Sequence, residues 1–275
     1  MKASQVWRRS LLTLGLSLVA ASIYVQAQTA TQTFTPEVGQ PGKDVVWVPT
    51  PQTMVDRMLD IAKVTPQDFV IDLGSGDGRT VITAAKRGAR AHGIEYNPDM
   101  VALSQRNAVA AGMTARATFA KADLFESDFS QASVITMFLL PEINLRLRPK
   151  ILDLKPGTRI VSNTFTMEDW SPDETAVVST DCATWCTALF WVVPAKVEGA
   201  WQLPQGTLNV RQRFQVISGT LSSGANTTAI SAATLRGDQI GFTAGGVQYT
   251  GRVNGNVMQG TTGTGASWRA TRAGE

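Results

Sequence analysis

Three acidic residues and a glycine turn are the parts of this sequence whose types and spacing can do chemistry. Val70-Ile-Asp-Leu-Gly-Ser-Gly-Asp-Gly-Arg79 is a short apolar run that passes straight into Gly74, Gly76 and Gly78. Glycines at this spacing allow a tight turn at positive φ and let backbone approach a ligand with no Cβ in the way. A dinucleotide fingerprint needs its third glycine one step after Gly78, where Arg79 stands. Asp72 and Asp77 flank the turn. They would repel a pyrophosphate and attract a ligand with a cationic, amino-acid-like end. Glu95 closes the next apolar run, where a carboxylate can accept from two ribose hydroxyls. Asp123, in Lys121-Ala-Asp-Leu-Phe125, follows a further strand and is placed to accept from an adenine amino group. A cationic amino-acid end, a ribose and an adenine without phosphate describe S-adenosylmethionine. Ser75 in the turn and Leu124 beside Asp123 complete the expected cofactor contacts.

Strands and helices must alternate to bring these acids together. Met54, Met58, Leu59 and Ile61-Ala62 recur at helical spacing, and Thr80 onward opens a helix directly after the turn. Asn97-Pro98-Asp99 caps a helix that runs to Ala111 and stops at Gly112. Ser133 to Phe138 and Thr158 to Ser162 read as strands. Asn144 to Lys155 reads as an amphipathic helix interrupted early by Pro149, its charges forming a solvated face. This alternation is the sign of a parallel, doubly wound sheet, which binds ligands at the carboxyl ends of its strands. Asp72, Glu95 and Asp123 all fall there.

In this order and spacing, Asp72 to Gly78, Glu95 and Asp123 resemble the class I S-adenosylmethionine-dependent methyltransferases, over roughly residues 45 to 195. Val48-Pro-Thr-Pro51 ahead of the first helix, and Leu140-Pro-Glu142 after the fourth strand, resemble the branch that methylates protein lysines, including enzymes acting on the ATP synthase c-subunit. The Asn/Asp-Pro-Pro-aromatic motif of enzymes that methylate base amines is absent. The resemblance implies a protein lysine or a small amine as acceptor. It makes Thr50 a pocket residue, Leu140 and Pro141 the walls of an apolar channel, and Glu142 a group that orients the amine. Each of these four also reads as plain helix-start or strand-end chemistry. No His or Cys base is required. Asp169 and Trp170 either border the substrate mouth or pack.

The rest of the chain concerns delivery and a second domain. Lys2, Arg8 and Arg9 precede an apolar run from Leu11 to Ile23 and a small-residue cleavage site at Val25-Gln-Ala27. This reads as a signal peptide over residues 1–27, with an uncleaved inner-membrane anchor as the alternative. The expected location is periplasmic, by the ordinary or the twin-arginine route. Residues 28–44, rich in Thr, Gln, Pro and Gly, read as a linker. Beyond residue 27 the 22 acidic residues meet the 22 remaining basic ones, a balance that gives nucleic acid no electrostatic footprint. Cys182 and Cys186 flank three residues between β-rich runs and are expected to pair in an oxidising compartment. With a single His in the chain, His92, no metal site is expected, and His92 itself is read as a packed strand residue. From residue 196 to 275 the composition turns to Gly, Thr and Ser. Leu235-Arg-Gly-Asp-Gln-Ile240 repeats as Val253-Asn-Gly-Asn-Val-Met258, two hairpin turn signatures, and Trp201, Phe214, Phe242, Tyr249 and Trp268 supply apolar bulk. The fold class expected is α/β, a doubly wound Rossmann-like methyltransferase sheet (45–195) followed by a small antiparallel β-domain (196–275). A binding or scaffold protein with a vestigial cofactor site is the competing function.

Overall fold

The computed structural model describes residues 34–274. The segment read as a signal peptide lies outside the described residues. In chain order the first domain contains α1 (Gln52–Ile61), β1 (Phe69–Leu73), α2 (Arg79–Lys86), β2 (Arg90–Glu95), α3 (Pro98–Ala110) and β3 (Ala117–Lys121). It continues with β4 (Val134–Met137), α4 (Pro141–Leu152), β5 (Arg159–Asn163), β6 (Glu174–Val177) and β7 (Thr187–Val192). The sheet order is β3-β2-β1-β4-β5-β7-β6, parallel throughout except where β7 runs against β5 and β6. The order reverses between β1 and β4. That switch point is where a doubly wound sheet opens a crevice.

Strand side chains alternate between the faces, and burial follows the alternation. Val70, Val134, Val161 and Phe190 pack with α1 and α2 on one side. Ile71, Ile135, Ile160 and Trp191 pack with α4, Phe129 and Trp170 on the other. Helix α3 is capped as the sequence indicates, Asn97 Oδ1 accepting from the Asp99 N–H at 2.9 Å. Helix α4 differs from the expectation: it starts at Pro141 rather than Asn144 and continues through Pro149. Proline is well suited to the first helical position, so Pro141 is the stronger start signal. Its charge run is not simply solvated either. The Arg146 guanidinium lies 3.7 Å from the centre of the Phe125 ring, and Lys150 Nζ donates to the Phe125 carbonyl at 3.1 Å.

The second domain is a nearly closed sheet of nine antiparallel strands: β8 (Gly199–Leu203), β9 (Gly206–Arg213), β10 (Val216–Ser223), β11 (Asn226–Ala229), β12 (Ser231–Arg236), β13 (Gln239–Ala244), β14 (Val247–Asn254), β15 (Val257–Thr262) and β16 (Ser267–Arg272). The two repeats are its β12–β13 and β14–β15 turns. Gly237 and Gly255 take φ of 60° and 56°, the left-handed conformation such turns demand of their first central residue. Trp201, Phe242, Tyr249 and Trp268 fill its core. Phe214 does not. It sits at the β9–β10 tip and stacks on Trp170 of the first domain, centroids 5.7 Å apart. Gln215 beside it accepts from Trp170 Nε1 at 3.0 Å and donates to the Ser171 carbonyl at 2.8 Å. Trp170 is therefore packing, and Asp169, held by Arg148 and Arg213, does not line the cavity described below.

Candidate active site

The crevice at the β1/β4 switch point is a cavity walled by the ends of β1, β2 and β4, the residues after β3, and the segment 40–50. At its deep end Asp72 is buried, its Oδ1 accepting from Thr136 Oγ1 at 2.6 Å. The pairing follows from register, since Thr136 lies opposite Asp72 on the neighbouring parallel strand. Burial pushes the Asp72 carboxyl up to about 7, against the hydrogen bond from Thr136 and with the negative charges of Glu95 and Asp77. A cation arriving beside it restores the carboxylate.

Glu95 is held from both sides, accepting from Gly76 N–H and from Asn97 N–H, each at 2.9 Å. Those bonds aim it across the turn while leaving it on the cavity wall. At the outer end Asp123 accepts from Phe125 N–H at 2.9 Å and pairs with Lys43 Nζ at 2.7 Å. The hydrogen bond from Lys43 is the main reason the Asp123 carboxyl titrates below its ordinary value, and Lys43 is raised in turn. Ser75 and Leu124 also face the cavity.

Two details of the glycine turn differ from the sequence reading. Asp77 lines the cavity already paired, because Arg79 chelates it at 2.6 Å and also donates to the Thr50 carbonyl at 2.8 Å. Of the two acids flanking the turn, Asp72 is the one with no cation beside it among the described residues. A Cβ at Gly76 would meet Trp47 Nε1 at 2.8 Å, and one at Gly78 would meet Phe119 and Ser104 at 2.7 Å. These glycines make room for the protein's own packing as much as for a ligand.

Thr50 is buried and lines the cavity wall. Leu140, Pro141 and Glu142 do not line the cavity: they form the cap and first turn of α4, and Phe138, Leu139 and Ile143 face it instead. Sequence reasoning also missed Gln40 to Asp44, read as linker, which cover the cavity. Their order comes from distant partners, Gly39 N–H bonding the Trp47 carbonyl at 2.8 Å and Lys43 bonding Asp123, and local sequence gives no sign of these. The cavity holds about 120 Å³.

The residues fit S-adenosylmethionine on the structure's own terms. Among the described residues the buried Ser75 Oγ has no hydrogen-bond partner, and the buried acid Asp72 has no counter-cation. Asp72 would hold the cationic methionine end, Glu95 the ribose, and Asp123 with Leu124 the adenine. Among the described residues no cluster of His, Cys, Asp or Glu is arranged for a metal ion. His92 is half-buried on β2, its Nδ1 2.8 Å from Thr118 Oγ1, outside the cavity.

Fold and site together define a class I S-adenosylmethionine-dependent methyltransferase. A family model of the ANTKMT methyltransferase domain matches residues 72–174. A protein-lysine N-methyltransferase of Saccharolobus islandicus is 48% identical over 133 residues, which are 47% of this chain and 83% of that protein. The ATP synthase c-subunit lysine N-methyltransferase of Mus musculus is 40% identical over 107 residues, 38% of this chain and 43% of the mouse protein. The crystal structure of an RNA methyltransferase from Salinibacter ruber with S-adenosyl-L-homocysteine superposes with a TM-score of 0.51 at 45% identity, over 55% of this chain and 96% of that one. The chain belongs to the protein-lysine N-methyltransferase family. Its nine-stranded domain lies beyond the part the family model matches.

Proposed function

We propose that this enzyme methylates a lysine amine of a protein outside the cytoplasm. The observation that carries the reading is the wall at the β4 end of the cavity. Pro49, Phe138 and Leu139 form an apolar surface there. A lysine must be neutral to act as nucleophile, and desolvation against such a surface lowers its pKa. When bound, the cofactor supplies a sulfonium methyl for in-line displacement, so the protein's contribution is chiefly to position and desolvate the amine. The names of the Saccharolobus and mouse relatives support a protein acceptor. The Salinibacter protein is named for RNA; the balance of 22 acidic and 22 basic residues beyond residue 27 in this chain favours a protein acceptor over a phosphate backbone.

Export is supported by residues 1–27 and by the Cys182–Cys186 disulfide, a bond that persists in oxidising compartments. Among the described residues no helix is long and apolar enough to cross a membrane. The test is transfer from methyl-labelled donor to envelope proteins and, in parallel, to RNA, with mass spectrometry locating the label. Label on lysine supports the reading; label on RNA alone ends it. Mass spectrometry of the protein as isolated from the periplasm would show whether cofactor is carried out with the folded chain.

A further inference from the structure

We infer that Trp185, with Phe138 and Phe165, forms an outer docking site where the acceptor lysine is first held as a cation, before its amine reaches the apolar wall at Pro49 and Leu139 and loses its proton, and that the Cys182–Cys186 disulfide holds that site in place. The inference rests on the lysine reading above and adds the residues that select the amine. Phe138 follows β4 directly and lines the cavity. Its ring stacks on Phe165, centroids 5.8 Å apart with 17° between planes, and meets Trp185 edge-on at 5.8 Å and 61°. The wall of the cavity thus continues outward as three aromatic rings from three different segments. Trp185 is 40% exposed, an unusual place for so large an apolar side chain.

The backbone around these rings is held, not slack. Thr164, Asp181 and Trp185 take φ of 61°, 53° and 57°, a left-handed conformation that costs a non-glycine residue free energy and persists only where surroundings enforce it. The disulfide closes the loop on either side of Ala183-Thr184-Trp185. Thr53 Oγ1 donates to the Asp181 carbonyl at 3.3 Å, tying the loop to α1 next to the cavity. Aromatic faces attract ammonium and above all methylated ammonium groups, so a strained, stapled ring cluster at the amine's entrance matches a cationic aliphatic guest.

The test uses the full chain with S-adenosylhomocysteine present. Choline, a small quaternary ammonium, and 3,3-dimethylbutan-1-ol, its uncharged isostere, are titrated by calorimetry or ligand-observed NMR. Choline should bind about fivefold or more tightly than the isostere. Trp185→Ala should remove that preference, Trp185→Phe should keep most of it, and neither should change the affinity for S-adenosylhomocysteine. The Cys182→Ser/Cys186→Ser double variant should weaken choline binding by a similar factor. Equal affinity for the two probes, no binding of either, or an unchanged preference in Trp185→Ala would overturn the site. An unchanged preference in the double serine variant would overturn the role of the disulfide. The lysine reading fails separately: charge-selective binding with no lysine labelled in the transfer assay would overturn the acceptor and leave the aromatic site standing.

Discussion

The two ends of the cofactor cavity each rest on an aspartate, and the two behave in opposite ways. Asp72, buried at the β1 end, is pushed up to about 7. Asp123, at the rim beyond β3, is drawn down by Lys43 and the Phe125 N–H. One carboxyl is held in reserve for a cation that a ligand must bring, whereas the other already has a cation supplied by the chain. Burial decides which regime applies: desolvation dominates at Asp72, and a hydrogen-bonded lysine dominates at the partly exposed Asp123.

The largest break in this arrangement should come from the turn between the ends. In Gly76→Val the new side chain collides with Trp47 at a φ of 53°, and binding of S-adenosylmethionine should be lost in calorimetry. Wild-type affinity there would remove the turn from the site. Next comes Asp72→Asn, which keeps an acceptor for Thr136 but no charge. Cofactor affinity should fall by roughly 10- to 100-fold, the loss expected for a hydrogen bond to a charged group.

Asp72 also sets a pH dependence. In the folded chain it titrates above its ordinary 3.8, so the folded state binds the extra proton in between. Its contribution to stability is fully present below about pH 4 and is lost as the pH rises through about 7. Cofactor affinity should rise over the same upper range, because binding a cation requires the carboxylate. Thermal shifts by the cofactor, measured from pH 5.5 to 8.5, should therefore grow in the wild type and stay flat in Asp72→Asn. A flat wild-type profile would show that Asp72 does not meet the cationic end.

Smaller effects belong to the ribose and adenine positions. Glu95→Ala should weaken binding by about tenfold, since a charged acceptor is lost while Gly76 and Asn97 N–H can turn to water. Lys43→Ala should change affinity by less than about threefold and make it less sensitive to salt, as befits an exposed ion pair. A tenfold effect at Lys43 would make the outer end as demanding as the inner one and dissolve the contrast.

The sequence discloses the carboxylates and conceals their partners. Asp72, Glu95 and Asp123 are legible because strand period and turn chemistry are local, and both ends of a parallel strand can be located from them. Thr136 and Lys43 are not, because each acts on a residue from another segment: Thr136 through sheet register, Lys43 through a bond 80 positions away. The error at Leu140 to Glu142 has a different origin. A helix start one turn earlier rotates those residues off the cavity and leaves Phe138 and Leu139 facing it. Phe214 belongs to a different core from the one its sequence neighbours suggest, because an aromatic at a hairpin tip carries no mark of what it will touch.

That aromatic decides how the protein can be divided. Phe214 and Gln215 cover Trp170, whose ring also packs beside Trp191, and Trp191 Nε1 donates to the Trp170 carbonyl at 2.8 Å. The hairpin is thus a missing piece of the methyltransferase core, supplied from some 45 residues downstream. An enzyme cut at residue 195 would lose the ring and the amide that cover the Trp170 indole, and the clasp on Ser171. The boundary drawn by composition at residue 196 is therefore not a boundary of the core: an aromatic from the β-domain completes the packing around a buried tryptophan of the methyltransferase domain.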